Sequence, residues 1–491
     1  MLLHTLLRQF DPGLPLERIP NCQIRSIQED SRKISPSDLF IARPGAKSDG
    51  ARFAADAQTK GAVAVVTQYL IPACTLPQVI VTDAAVASSI LANCFAAQPS
   101  RALRVLGITG TKGKTTATFL LRHLLNKTKH PCGMIGTVEI DDGKTRREAD
   151  QTTPSAIDVA AYLGAMRDHG CQAAGIEVSS HALDQGRVAG VRFAGAAFTN
   201  LTGDHMDYHQ TMENYAAAKA RIFESLDEDA TAVVNHHDEW TWRMIRDCRA
   251  RIVRFGFSEE CDYRAADYKI SSDGSHFILH TPDGRAEVHM ALVGKHNIEN
   301  ALVASALACE VFGLSVHQVA AGLKDAAGAP GRLQPVRCGQ PFAVLVDYAH
   351  TDDALDKVLT ALRPLCKGKL RVMFGCGGDR DRTKRPRMAR VAQRLADVVY
   401  VTSDNPRTEQ PEGILAEIRA GLTTNSAAAG VVEEIDRRRA IERIIADAAP
   451  GDVVLLAGKG HENYQIIGTE KRHFDDAEEA ARVLQSRAAS V

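Results

Sequence analysis

The sequence predicts an α/β protein of three domains: a small N-terminal α/β domain over 1–98, a central parallel-sheet domain over 99–330, and a C-terminal Rossmann-like domain over 331–491. Three observations predict it. The 491 residues are enough for three cores, at a prior of roughly 150 residues per domain. From Arg101 onward, short apolar runs alternate with helical patterns, as in a parallel sheet with crossover helices. A Gly/Pro turn, GAPGR at 328–332, then separates two such series and is the natural hinge.

The first hundred residues mix short β-like runs with Gly/Pro turns, as in LFIARPGAKSDG (39–50), and this smaller domain ends near Pro99. In the central domain LRVLGI (103–108) reads as a strand and KTTATFLLRHLLN (114–126) as the helix after it. AAGIEVS (173–179) and AGAAFTNL (194–201) read as buried strands that run into polar loops containing His and Asp. Catalytic groups in such sheets gather at the carboxyl ends of strands. The last domain repeats the pattern with FAVLVDYA (342–349), LRVMFGC (370–376), DVVYVTSD (397–404) and DVVLLAGKG (452–460), separated by helical stretches such as DDALDKVLTALRPL (352–365).

Composition narrows the function. With 59 Lys+Arg against 60 Asp+Glu, the chain has neither the basic footprint of a nucleic-acid binder nor a polybasic membrane contact, so any recognition of charge must be local. Eleven cysteines without a CxxC pair fit reduced thiols. The N-terminal apolar stretch is broken by His4, Arg8 and Asp11, and no window approaches 18 uninterrupted apolar residues. A soluble cytoplasmic protein acting as a monomer is the expectation.

Between the first central strand and its helix lie Gly110, Thr111, Lys112, Gly113, Lys114, Thr115 and Thr116. Glycines let backbone N–H groups approach a polyphosphate, and the helix N-terminus favours its charge. Lys114 can reach the β- and γ-phosphates, and a hydroxyl can hold Mg²⁺. The common G-x-x-x-x-G-K-[ST] spacing is not met, since Gly107 lies one residue too far from Gly113 and Gly110 too close. A Gly-rich turn with exposed lysines is the plain alternative.

This shortened loop resembles that of the Mur ligases and the related folylpolyglutamate synthetases, which activate a carboxylate as an acyl phosphate before an amine attacks. The likeness extends along the chain through DSRKISPSDLFIARPGAKSDG (30–50), EVSSHALDQGRV (177–188), TNLTGDHMDYHQTMENYAAAKARIF (199–223), GKHNIENALVA (294–304), VDYAHTDDALDKV (346–358), FGCGGDRDRTKRP (374–386), SDNPR (403–407) and GKGHENYQ (458–465). It implies a small UDP-binding first domain, a central phosphate-loop ATPase domain and a last domain that binds the incoming amino acid. The implied substrates are ATP, UDP-MurNAc-L-Ala-D-Glu and meso-diaminopimelate.

An acyl-phosphate route needs metal ions to neutralise ATP and organise the carboxylate. Glu177 at a strand end, His205 in the next strand's loop and the Thr115 hydroxyl suit Mg²⁺, although Glu177 or His205 alone would more often be a satisfied polar residue. Tyr215, Lys219 and Phe223 share a helical face. Periodicity alone makes Lys219 an ordinary solvated charge, whereas the resemblance implies that CO₂ N-carboxylates it, giving an anionic ligand for a second Mg²⁺. By resemblance, Ser31, Ala46, Lys47 and Ser48 contact the uridine diphosphate, and Thr152, Thr153, Ser179, Gln185 and Arg187 the muramoyl peptide. A Thr-Thr-Pro turn could equally cap the next helix.

Asn297, Arg332, Asp347 and His350 similarly resemble nucleotide contacts, His350 being as readily a capping or core histidine. The family usually has proline where this chain has Asp352, which puts that turn in question. For the incoming amino acid the resemblance implies Arg380, Asp404, Asn405, Pro406, Arg407, Gly458 and Glu462, with Arg407 pairing the distal carboxylate and Glu462 the distal ammonium. Proline after Asn405 gives a rigid turn, which a surface arginine could also merely complete. L-lysine addition and folate polyglutamylation are rival readings within the chemistry. A regulatory phosphate-loop ATPase is the rival outside it, and gives no role to SDNPR or Lys219.

Overall fold

The computed structural model describes residues 1–45, 48–72, 74–423 and 430–489. Contacts gather the chain into two compact units, one of Met1–Arg264, His280–Arg285 and Glu299–Gly322, the other of Ala265–Leu279, Ala286–Ile298 and Leu323–Val491.

The first unit opens with a four-stranded parallel sheet, in the order Ile27–Gln28, Leu39–Ala42, Ala64–Thr67, Gln78–Ile80. Leu3, Leu6 and Leu7, three and four residues apart on helix Leu3–Phe10, close one face of it together with Leu91 of helix Ala84–Phe95. That second helix starts where Asp83 accepts the N–H groups of Ala85 and Val86. The small domain is tied to the central one, since Arg167 donates to the Ala96 carbonyl (2.8 Å) and Ser89 to that of Arg187 (3.1 Å).

Eight of the eleven strands of the central sheet follow one another from Arg251–Gly256 through Thr231–Asn235, Phe193–Phe198, Arg104–Thr109, Ala173–Glu177 and Cys132–Ile135, all parallel, to the antiparallel pair Glu139–Asp141 and Arg146–Glu148. Its middle strands are buried on both faces, which is why they read as continuous apolar runs. Helix Lys114–Lys127 covers it with Leu120, Leu121, Leu124 and Leu125. Thr109, Glu177 and Phe198 end three neighbouring strands on the same edge.

The second unit carries strands in the order Gln334–Pro335, Ala343–Asp347, Val453–Ala457, Leu370–Phe374, Val398–Val401, Gly430–Glu433, parallel except for the first. Val453–Ala457, the last of these strands in sequence, returns to lie between Ala343–Asp347 and Leu370–Phe374. The loops at the carboxyl ends of such parallel strands border a crevice. Helix Asp352–Leu362 begins cleanly at the residue in question: Thr351 caps it through the Ala354 N–H (3.3 Å), and Asp352 in the first turn suits the helix dipole and pairs with Arg387 (3.2 Å). Aspartate therefore keeps the turn that proline would start. Beneath the sheet, Arg437 and Asp476 form an ion pair with no exposure on either side chain. Among the described residues, no helix is long and apolar enough to cross a membrane.

Candidate active site

In the first unit the site grows from the loop after strand Arg104–Thr109. Gly110 adopts φ +145°, and a Cβ there would stand 1.9 Å from the Thr199 hydroxyl, so only glycine lets the loop lie against the neighbouring strand end. That hydroxyl donates to the Lys112 carbonyl (2.6 Å), while Asn200 accepts the Lys112 N–H (3.0 Å). Gly113, at φ +89°, is the N-cap of helix Lys114–Lys127. Thr115 and Thr116 occupy its first turn. The loop thus ends on a helix N-terminus, where N–H groups lack helical partners and favour an anion.

Lys114 donates to the carbonyls of Gly110 (2.8 Å) and Thr111 (2.9 Å). Lys219, on helix Met212–Glu224, donates to that same Gly110 carbonyl (2.9 Å) and is 1% exposed. Burial, reinforced by the Lys114 charge, pushes the Lys219 ammonium well below its ordinary range. The Tyr215 ring lies 4.6 Å from its Nζ, and the Tyr215 hydroxyl reaches Thr111 (3.2 Å). Desolvation likewise pushes that phenol up to about 12.

Glu177 ends its strand fully buried. Its carboxylate accepts from the Thr115 hydroxyl (2.8 Å), the Thr137 N–H (2.9 Å) and the Thr137 hydroxyl (2.9 Å). The expected Thr115 and Glu177 oxygens are therefore neighbours. His205 stands in the left-handed region at φ +55°, half exposed, its N–H held by Asp204 (2.9 Å). Its ring meets His181 edge-on (4.8 Å) and lies 6.3 Å from Tyr215, which links it to Lys219. Burial, together with His205 and Arg187, lowers the His181 imidazole, favouring its neutral form.

A second cluster joins the expected peptide contacts. Thr152 meets Thr137 (3.1 Å), while Thr153 donates to the Glu177 carbonyl (2.8 Å) and accepts the Ser179 N–H (3.0 Å). Arg187 donates to the Thr153 carbonyl (2.7 Å) and to Gln185 (2.8 Å). Ser155 rather than either threonine caps helix Ala156–Asp168, and Ser179 caps helix Ser180–Asp184. In the small domain Ser31 is buried in a 3₁₀ turn capped by Asp30, and its carbonyl accepts from Lys60 (3.0 Å). Ser48 lies in the following loop, while Ala46 and Lys47 fall outside the described residues.

In the second unit Asp347 accepts the N–H groups of Leu333 (2.8 Å) and Ala349 (2.9 Å), fixing the residue after the GAPGR turn to a strand end. Burial raises its carboxyl. Arg332 and His350 both pack on the Tyr348 ring, at 5.1 and 4.5 Å, and burial lowers the His350 imidazole. Asn297 is buried and donates to the Val293 carbonyl (2.9 Å).

The loops at the carboxyl ends of these strands bring the expected amino-acid contacts together. Asn405 donates to Glu462 (2.8 Å) and accepts the Ile466 N–H (2.9 Å). Lys459, wholly buried, lies 3.6 Å from both Asp404 and Glu462. Desolvation and the Asp404 charge raise the Glu462 carboxyl. The Asp404 Oδ1 atom is buried with no hydrogen-bond partner among the described residues. After Pro406, Arg407 takes φ +51° and donates to the Gly378 carbonyl (2.9 Å). A Cβ on Gly377 would come 2.9 Å from that guanidinium and 3.7 Å from the Arg380 Cγ, so glycine keeps both arginines close. Gly458 takes φ +111°, and a Cβ there would meet the Gly375 carbonyl (3.7 Å) and Asp404 Oδ2 (3.9 Å) at ordinary contact distance.

Family models match this architecture in order: the Mur ligase family catalytic domain over 23–107, the Mur ligase middle domain over 108–308, and the Mur ligase glutamate ligase domain over 331–460. The chain belongs to the Mur ligase family. Within it, the chain is 44% identical to the UDP-N-acetylmuramoyl-L-alanyl-D-glutamate–2,6-diaminopimelate ligase of Thermosynechococcus vestitus, over 95% of this chain and 94% of the relative. The enzyme of that name from Synechococcus elongatus is 45% identical over 94% of both. A solved structure of a ligase of that name covers 98% of this chain and 99% of its own, at 33% identity and a TM-score of 0.73.

Reasoning from sequence did not single out Thr137, His181, Tyr348 or Lys459. His181 two residues after Ser179, Tyr348 next to Asp347 and Lys459 next to Gly458 were visible signals, since each lies by a residue already picked. Thr137 announces itself only through its neighbours in space.

Proposed function

We propose that this Mur ligase joins meso-diaminopimelate to the D-glutamyl γ-carboxylate of UDP-MurNAc-L-Ala-D-Glu, with ATP converted to ADP and phosphate, during cytoplasmic peptidoglycan precursor synthesis. The carrying observation is the charge set at the carboxyl ends of the second unit's strands. Arg407 follows Asp404 and Asn405 in the chain, Asn405 binds Glu462 (2.8 Å), and the buried Lys459 lies 3.6 Å from both carboxylates. That set complements an amino acid bearing a second ammonium and a second carboxylate. Buried Asp404 Oδ1, 3.6 Å from the Lys459 ammonium but without a hydrogen-bond partner among the described residues, keeps acceptor capacity for an incoming ammonium.

In the chemistry we infer, a γ-carboxylate oxygen attacks the γ-phosphorus of ATP and ADP departs. The diaminopimelate amine then attacks the acyl phosphate, losing a proton as phosphate leaves. Lys114 stands to neutralise the γ-phosphate, while the loop from Gly110 to Gly113 and the helix N-terminus cradle the polyphosphate. The oxygen donors Thr115 and Glu177 fit Mg²⁺, the threonine hydroxyl lying 2.8 Å from a carboxylate oxygen in a buried setting. Thr115, Glu177 and His205 would hold the ions, which supply charge neutralisation around the phosphates. A neutral Lys219 amine, favoured by its burial, supports reaction with CO₂ to a carbamate that would serve as a further oxygen ligand.

Ser31 and Ser48 remain our assignments for the UDP end, with Thr152, Thr153, Ser179, Gln185 and Arg187 for the peptide. Asn297, Arg332, Asp347 and His350 are those for the nucleotide. We also retain domain boundaries at 98/99 and 330/331 and a monomeric enzyme. Phosphate release tests the reaction: with ATP and UDP-MurNAc-L-Ala-D-Glu present, diaminopimelate should elicit it and lysine should not. Equal release without any amino acid would favour the regulatory ATPase reading instead.

A further inference from the structure

The geometry points to a transition-metal site, outside the ligase chemistry, formed by His276, Glu287 and His289 on a surface hairpin. Strands Gly274–Thr281 and Gly284–Met290 are joined by the two-residue turn Pro282–Asp283. His276 stands five residues before the end of the first strand and His289 five after the start of the second, which makes them opposite partners across the ladder. Their rings stack accordingly, with centroids 4.3 Å apart and 23° between planes. Glu287 lies two residues before His289 and so shares its face.

The three side chains bring their donor atoms close together. Glu287 Oε1 is 2.7 Å from His276 Nε2 and 3.7 Å from His289 Nε2, and one ligand atom from each residue falls within 4.8 Å of the others. Ligands around a tetrahedral zinc ion, bound at about 2.0–2.1 Å, stand about 3.3 Å from each other. An ion would thus replace the proton between His276 and Glu287, with shifts of under about an ångström in side chains that face solvent.

Two imidazoles and one carboxylate select a borderline ion such as Zn²⁺, Ni²⁺ or Cu²⁺ over Mg²⁺, which prefers a set dominated by oxygen. The two histidines also line a cavity of about 420 Å³ with Lys269, Lys324 and Arg337, leaving room for water on the ion.

The test is calorimetric titration of the metal-stripped full-length protein with ZnCl₂, in excess Mg²⁺ so that oxygen sites are occupied. One Zn²⁺ equivalent should be taken up by the parent and lost, or weakened at least about ten-fold, in His276→Ala and His289→Ala, with Glu287→Gln weakened too. Ligation measured at saturating Mg²⁺ should stay at the parental rate in all three. A second measurement needs no variant: oxidation by Cu²⁺ and ascorbate should mark His276 and His289 ahead of the other histidines. Zinc uptake unchanged in the double variant His276→Ala/His289→Ala, or oxidation that spares both residues, would overturn the site.

Discussion

Arg407→Gly separates what the Arg407 side chain recognises from what its backbone does. Arg407 sits at φ +51°, where a non-glycine residue costs roughly 1–2 kcal/mol. Glycine relieves that strain but gives back roughly 0.5–1 kcal/mol of chain entropy. The main-chain bonds to Ile466 (3.1 Å) and from Gly468 (2.8 Å) are untouched, so stability should stay within about 1 kcal/mol of the parent. The guanidinium is a different matter. Removing one partner of a desolvated, hydrogen-bonded charge pair costs about 2–5 kcal/mol, which is a loss of about 30-fold or more in kcat/KM for diaminopimelate at 1.4 kcal/mol per decade. Steady-state kinetics on each substrate, with a urea denaturation alongside, gives both quantities. The KM values for ATP and UDP-muropeptide should move little. A folded variant that still prefers diaminopimelate over lysine as strongly as the parent would refute the assignment and shift attention to Arg380.

Four further outcomes are expected. Lys114→Ala should lower kcat by about 10²–10³-fold, as loss of a charge-stabilising donor does, with unchanged thermal unfolding; near-parental turnover would remove it from phosphate binding. Lys219→Ala should be nearly inactive and partly restored by a small carboxylic acid at high concentration, a rescue that an ordinary structural lysine would not show. Because burial lowers the Lys219 ammonium from its ordinary 10.5, the unfolded chain binds more protons between the lowered value and 10.5. Stability should therefore rise with pH across that window, and in CO₂-free buffer Lys219→Met should lack this rise. Arg437→Met should cost about 3–5 kcal/mol in urea denaturation, since it strands Asp476 as a buried unpaired charge; a loss below 1 kcal/mol would contradict that reading.

Seven strands, three of the central sheet and four of the last domain's, were legible in sequence because burial on both faces leaves unbroken apolar runs. LRVLGI, for example, became Arg104–Thr109, displaced by one residue. The shortened loop and Lys114 were legible for the same local reason, a strand and helix flanking glycines. Lys219 was not legible as a buried amine, since periodicity fixes its helical face but not the Gly110 carbonyl that meets it from 109 residues away. The antiparallel strands Gly274–Thr281 and Gly284–Met290 also escaped, because their alternating, half-exposed pattern lacks the apolar runs that marked the others. The role of Asp352 needed the structure as well: only there is it seen opening a helix capped by Thr351.

The most direct test of the proposed reaction is the mass of its product. The enzyme is given ATP and UDP-MurNAc-L-Ala-D-Glu with equimolar meso-diaminopimelate and L-lysine, and the UDP-linked species are resolved by mass spectrometry. The account predicts a single adduct, heavier by one diaminopimelate less one water, with one ADP and one phosphate formed for each. A lysine adduct in comparable yield, or ATP consumed without any adduct, would contradict it.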